Sequence, residues 1–235
     1  MSSRIVPAFF TSAILDRIPG FFHGFGTRRF DACALSRHRR GRRFRLVTLD
    51  QVHSDTIRFF DRPTRRRRRG DALVTARPDL LLAVKTADCL PLLLADPEKR
   101  VVAAVHCGWR GTAQRIAERT VRSLQDRYGC KPSDLRAGLG PRIGARCYEV
   151  GEDVRRALRE SGLPVRFFRA RRGRPGKYSF DLAAANVFQL KRAGLKDRHI
   201  DRIDLCTHCR PDLCSYRRDP LHPGRMINFI GYSKP

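Results

Sequence analysis

Between Leu80 and His106 the chain offers three apolar runs: Leu80 to Thr86, Leu90 to Ala95 and Val101 to His106. Only Ala87-Asp88-Cys89 and Asp96-Pro97-Glu98-Lys99-Arg100 lie between them. Apolar runs of six or seven residues bounded by turn formers predict buried strands. The Asp96 to Arg100 link predicts a hairpin with Ala95 opposite Val101, which sets Leu90 opposite His106 and Cys89 opposite Cys107. A slip of one or two residues still leaves the Cys89 thiol beside the His106 imidazole. The same stretch excludes a membrane-spanning helix. It is the longest apolar region, Leu80 to Leu94, and Lys85 and Asp88 break it well short of the ~20 residues a span requires.

Further runs predict strands at Phe21 to Thr27, Phe44 to Leu49, Thr56 to Phe60 and Ile227 to Tyr232. Helical spacing predicts one helix over Trp109 to Tyr128, closed by Gly129. A shorter helix is predicted over Glu152 to Glu160, and a third over Leu182 to Ala193, with Asp181 as N-cap and Gly194 as stop. Strands that alternate irregularly with helices predict an α/β fold, a mixed α+β sandwich. With 41% hydrophobic residues and no repeat or linker, residues 1–235 read as a single domain with its own core.

Charge is the most visible feature and the least informative. The net charge is +26, and of 49 Lys+Arg all but seven are Arg. The basic residues gather in Arg28 to Arg69, with Arg-rich loops expected at residues 29–45 and 62–70, and again in Arg155 to Lys177. Such a surface binds polyanions non-specifically at low salt. The aromatic residues of a base-stacking platform are missing from both stretches, so the expectation is a solvated, Arg-biased surface. Met1 to Leu15 lacks a small-residue cleavage site and reads as mature protein. Eight cysteines in a chain large enough for a core suggest a reduced, cytoplasmic protein with thiols reserved for metal or catalysis. Nothing in the sequence sets the oligomeric state.

A Cys beside a His supports two chemistries: a thiol activated as a nucleophile, or two ligands of a borderline-soft metal. A second His completes a three-ligand zinc site with one open position, and His53, in Gln51-Val52-His53-Ser54, is the best candidate. Cys206-Thr207-His208-Cys209, followed by Cys214, has the composition of a structural zinc site, but His208 sits in a cramped position between two cysteines.

Gln51-Val52-His53-Ser54, Thr86-Ala87-Asp88-Cys89-Leu90-Pro91 and His106-Cys107-Gly108-Trp109-Arg110-Gly111 occur together and in this order. So do Leu139-Gly140-Pro141, Cys147-Tyr148-Glu149-Val150, and Ser215-Tyr216-Arg217-Arg218-Asp219 with Gly224-Arg225-Met226. In these strings, over roughly residues 20 to 232, the chain resembles the YfiH family, the laccase-domain or multicopper polyphenol oxidoreductase-like proteins. The resemblance implies a sandwich similar to cytotoxic necrotizing factor-type cysteine hydrolases and a zinc ion held by His53, Cys89 and His106. It also implies phosphorolysis of adenosine, inosine, guanosine and methylthioadenosine, with adenosine deamination as a side activity. Arg28, in Gly26-Thr27-Arg28, matches the family's Thr-Arg element and is the first candidate for phosphate, followed by Arg217 and Arg225. Asp88 is expected as a partner of the metal site or a proton shuttle, and Phe22, Phe25 or Tyr216 as a stacking surface for the base.

The chain departs from the family pattern after Arg28, where a glycine-rich continuation is replaced by Arg29-Phe30-Asp31-Ala32-Cys33. Cys107 and Cys214 stand where Ala and an aromatic are usual. A trinuclear copper cluster relies on His-x-His pairs, and none occurs among the seven histidines. Copper binding at the zinc site with weak polyphenol oxidation, cell-wall precursor editing and a basic RNA-binding module remain the alternatives.

Overall fold

The computed structural model describes residues 7–60 and 68–233. Two sheets pack face to face. The first has the strand order Phe9–Phe10, Phe21–Gly26, Met226–Tyr232, Leu80–Thr86 and Arg45–Val47. The second runs Ile200–Arg202, Arg136–Leu139, Leu90–Asp96, Val101–Cys107, Ala72–Thr75 and Ile57–Phe59. A three-stranded sheet of Glu149–Gly151, Lys177–Phe180 and Phe168–Ala170 completes the mixed α/β sandwich that the pattern predicted.

The long apolar runs are explained by burial on both faces. Leu80, Leu82 and Val84 meet Leu93, Ala95, Val102 and Ala104 between the two sheets. Leu92, Leu94, Ala103 and Val105 point the other way, against Ile116, Val121, Leu124 and Leu190 of the helices. Leu81 and Ala83, with Phe22 and Phe229 of the same sheet, face outward against Phe30, Leu35 and Phe44.

Four expectations are corrected. The hairpin is one residue out of the predicted register: Asp96 pairs with Val101, Leu90 with Cys107 and Pro91 with His106. The Asp96 carboxylate accepts from the amides of Glu98 and Lys99, and Arg100 takes φ +51°, so the link closes in four residues rather than five. A one-residue slip exchanges the faces of a strand. Cys107 therefore joins Leu90 in the helix-facing core, and His106 emerges with Pro91 on the opposite face.

The single helix expected over Trp109 to Tyr128 is two, Trp109–Ala113 and Ile116–Tyr128. Arg115 breaks it at φ +61°, its guanidinium donating to the Ser161 carbonyl. Gln189 Nε2 donates to the Thr112 carbonyl at 2.7 Å and so satisfies an acceptor at the end of the first helix.

The Arg-rich segment 29–45 is not a solvated loop. It contains the helix Ala32–Arg37, and Phe30, Leu35 and Phe44 cover the outer face of the first sheet. His38 stacks on Phe22 with ring centroids 5.3 Å apart, and Arg40 lies over the same ring. Within Arg155 to Lys177, the residues up to Glu160 are helical and Phe168–Ala170 pairs with Lys177–Phe180, so the stretch is not one loop. Of residues 62–70, positions 62–67 lie outside the described residues, and Arg69 bridges to Asp50.

The strand Ala72–Thr75 was not anticipated, because four residues directly after an Arg run carry little periodicity; pairing with Val101–Cys107 makes it a strand.

Candidate functional site

Two loops and a strand end at one end of the sandwich bring His53, Cys89 and His106 together, their ligand atoms all within 4.8 Å of one another. His106 is at the end of its strand. Cys89 follows Asp88, which holds φ +85° as the chain turns between Leu80–Thr86 and Leu90–Asp96. His53 holds φ +58° in a loop that Gln51 fastens to the sheet edge, its side-chain amide exchanging two hydrogen bonds with the backbone of Lys85. Gly108 leaves the space this convergence needs: a Cβ there would sit 3.1 Å from His53 Cδ2 and 3.2 Å from Cys89 Sγ.

Asp71, fully buried, is the organising residue that sequence reasoning missed. Its carboxylate accepts from His106 Nδ1 at 2.8 Å, from the His53 and Ser54 amides at 3.0 and 2.7 Å, and from Ser54 Oγ at 2.8 Å. It therefore ties the His53 loop to the end of the Val101–Cys107 strand and turns His106 Nε2 toward the site. The only signal was a lone acid at the end of a five-Arg run.

The electrostatics follow from this packing. Burial alone would raise the Cys89 thiol, but the charge and hydrogen bond of His106, with His53 behind them, bring it down to about 6. Burial alone would lower His106, but Cys89 and Asp71 together bring it up to about 9. Two imidazoles and an easily ionised thiol, oriented by a buried carboxylate around an open face, suit a borderline-soft cation such as zinc.

The face opens into a cleft of about 710 Å³, within the range of small-molecule sites. Its walls carry Trp109, Tyr148 and Tyr216 beside Lys85, Arg110, Arg217 and Arg225. Tyr216 is 57% exposed, whereas Phe22 and Phe25 are buried in the core away from the cleft. Arg217 donates to the Glu149 carbonyl, and Arg225 to the Gly224 carbonyl. Arg28 does not line the cleft; it pairs with Asp219 at 2.5 Å. Asp88 lines the wall with both oxygens engaged, one by Thr207 Oγ1 at 2.5 Å and the other by the Arg217 amide at 2.7 Å. It ties two loops to the turn that carries Cys89. Cys107 is buried in the core, and burial raises its thiol. Cys214 is also buried, packed with Leu213 and Met226.

A family model described as multi-copper polyphenol oxidoreductase laccase matches residues 32–233. A protein of Deinococcus radiodurans named purine nucleoside phosphorylase is 46% identical over 162 residues, which cover 69% of this chain and 61% of that one. The match thus spans less than two thirds of that relative's length. A protein from an unknown prokaryotic organism, named adenosine deaminase RL5, is 36% identical over 161 residues, 68% of this chain and 61% of that one. The structure is similar to that of Bacillus licheniformis hypothetical protein YfiH, with a TM-score of 0.84 at 28% identity over 98% of both chains. Among the described residues, no helix is long and apolar enough to cross a membrane.

Proposed function

The chain belongs to the multi-copper polyphenol oxidoreductase laccase family, and from that premise we propose that it is a zinc-dependent purine nucleoside phosphorylase of the cytoplasm. Its substrates would be phosphate and adenosine, inosine, guanosine or methylthioadenosine. The observation that carries this reading is the convergence of His53, Cys89 and His106 on a cleft lined by four cations and three aromatic rings. The name of the Deinococcus radiodurans relative supports it.

His53, Cys89 and His106 would hold the zinc, which supplies a Lewis acid for an oxygen of the reactants. Arg217 and Arg225, with Arg110 and Lys85, neutralise phosphate as one of its oxygens bonds to the ribose anomeric carbon. The bond from that carbon to the purine nitrogen breaks, and the base leaves with the electron pair and takes up a proton. Tyr216 and Trp109 offer faces for the purine. Asp88 would hold the Arg217 backbone through one carboxylate oxygen and Thr207 through the other, beside the turn that carries Cys89. Arg28 would act on phosphate only through the Asp219 pair that positions it.

Deamination of adenosine is the second reading, favoured by the name of the RL5 relative. Both are tested by incubating metal-quantified protein with adenosine and inosine, with and without phosphate. Phosphate-dependent release of base and ribose 1-phosphate is expected, with loss on His53→Ala, Cys89→Ala or His106→Ala. Intact nucleosides in the presence of zinc sink the phosphorylase reading, and inosine formed without phosphate favours deamination. A cysteine hydrolase related to the cytotoxic necrotizing factor fold would survive chelation and fail on alkylation. A copper oxidase would need copper, and an RNA-binding module would survive His106→Ala.

A further inference from the structure

A second cluster of ligand-type side chains lies outside the cleft. The composition of Cys206 to Cys214 suggested a metal site, but Cys214 is buried elsewhere. Its place is taken by Cys147, whose Sγ is 3.4 Å from Cys209 Sγ although the two are 62 positions apart. The ligand atoms of Cys147, His208 and Cys209 all lie within 4.8 Å of one another. Cys206 stands beside them, close enough that its charge and those of Cys147 and Cys209 act on one another, and its Sγ accepts the Gly144 amide at 3.2 Å. The cramped position of His208 is thus resolved: the turn that starts at Cys206 swings its imidazole to the same side as Cys209.

Two turns face each other here. Gly144 to Cys147 is closed by the Cys147 amide on the Gly144 carbonyl, and Cys206 to Arg210 by the Arg210 amide on the Cys206 carbonyl. The close approach needs Gly144, where a Cβ would stand 3.2 Å from Cys206 Sγ. Arg218 braces the second turn by donating to the carbonyls of Thr207, His208 and Arg210.

We propose that Cys147, Cys206, Cys209 and His208 form a second metal site, a structural one, that takes a zinc-class divalent cation. Three thiols and one imidazole are a closed tetrahedral donor set, and Cys206-x-x-Cys209 has the spacing of such sites. Zinc–sulfur bonds of about 2.3 Å set tetrahedral sulfurs roughly 3.8 Å apart, so Cys147 and Cys209 need move only a few tenths of an ångström, whereas Cys206 Sγ, outside the group of ligand atoms within 4.8 Å, has to turn in toward the other three. Partial exposure of all four residues fits ligands better than core thiols. The consequence is local: the ion joins the turn before Tyr148 to the turn whose Thr207 holds Asp88, and so clamps two walls of the cleft.

The test is zinc counted per chain on folded protein from zinc-supplemented culture. Two ions are expected. Cys147→Ser and Cys209→Ser should each remove one, and His53→Ala with His106→Ala the other, so the two sites fail independently. Cobalt exchanged for zinc should show thiolate charge-transfer bands that weaken with either serine variant. If the serine variants do not fold, wild-type protein decides the matter: Cys147, Cys206 and Cys209 should resist alkylation until a chelator is added. A zinc content unchanged by both serine substitutions, free alkylation in zinc-loaded protein, or a Cys147–Cys209 disulfide in that protein overturns the proposal.

Discussion

The Asp71 carboxylate accepts a hydrogen bond from His106 Nδ1 at 2.8 Å while binding the backbone of His53 at 3.0 Å. One buried acid therefore sets the tautomer of one candidate ligand and the loop position of another, although it is itself no ligand. Asp71→Asn keeps the shape and removes the charge, and is expected to weaken zinc binding by about 10- to 100-fold. Competition with a chromogenic chelator measures it. An unchanged affinity would show that the carboxylate is only a loop fastener.

Gly108→Ala places a methyl group against His53 and Cys89, neither of which can withdraw without separating the ligand set. The substitution should lower metal content and nucleoside turnover together while the far-UV spectrum stays native. Full metal content with normal turnover would place the site elsewhere.

Arg217→Ala and Arg225→Ala should each raise KM for phosphate by about tenfold or more, since a charge-assisted hydrogen bond contributes roughly 1.5–3 kcal/mol. Arg28→Ala, outside the cleft and paired with Asp219, should change it less. Steady-state kinetics at saturating nucleoside separates the three. An Arg28 effect larger than the other two would put the phosphate site beyond the cleft.

Acid should destabilise the fold through His23. Burial, opposed by Asp16 and helped by Arg40, brings this histidine from 6.5 down to about 4, and its Nε2 accepts the Ser12 amide at 2.9 Å. Between those values the unfolded chain binds the proton and the folded chain does not. Its contribution is therefore complete above pH 6.5 and is lost as pH falls toward 4. The loss amounts to about 3 kcal/mol. Urea unfolding at pH 7 and pH 4.5 should show a smaller drop for His23→Gln than for the parent. Parallel drops would refute the assignment.

Much of the architecture was legible locally. Leu80–Thr86, Leu90–Asp96 and Val101–Cys107 were found within a residue or so of their ends, because burial on both faces leaves an unbroken apolar run. The caps at Asp181 and Gly129 were equally plain, since a side-chain acceptor and a left-handed glycine act over three or four residues. Short strands such as Ala72–Thr75 were not, because their pairing partner and not their composition makes them strands. The Arg-rich segment misled for a related reason: its charges are conspicuous, while Phe30, Leu35 and Phe44, which decide its packing, are spaced too irregularly to read.

The sequence by itself determined the identities of the three candidate ligands and that Cys89 and His106 would be neighbours, since a short hairpin leaves little freedom in where its ends meet. Tertiary structure decided which face each side chain takes, because a one-residue change of register depends on the closing turn and reverses every side chain. It also decided the partners. Asp71 lies 35 positions from His106, and Cys147 lies 62 from Cys209. No local preference encodes such distances. They are set when the sheets stack and bring remote loops to one end of the sandwich.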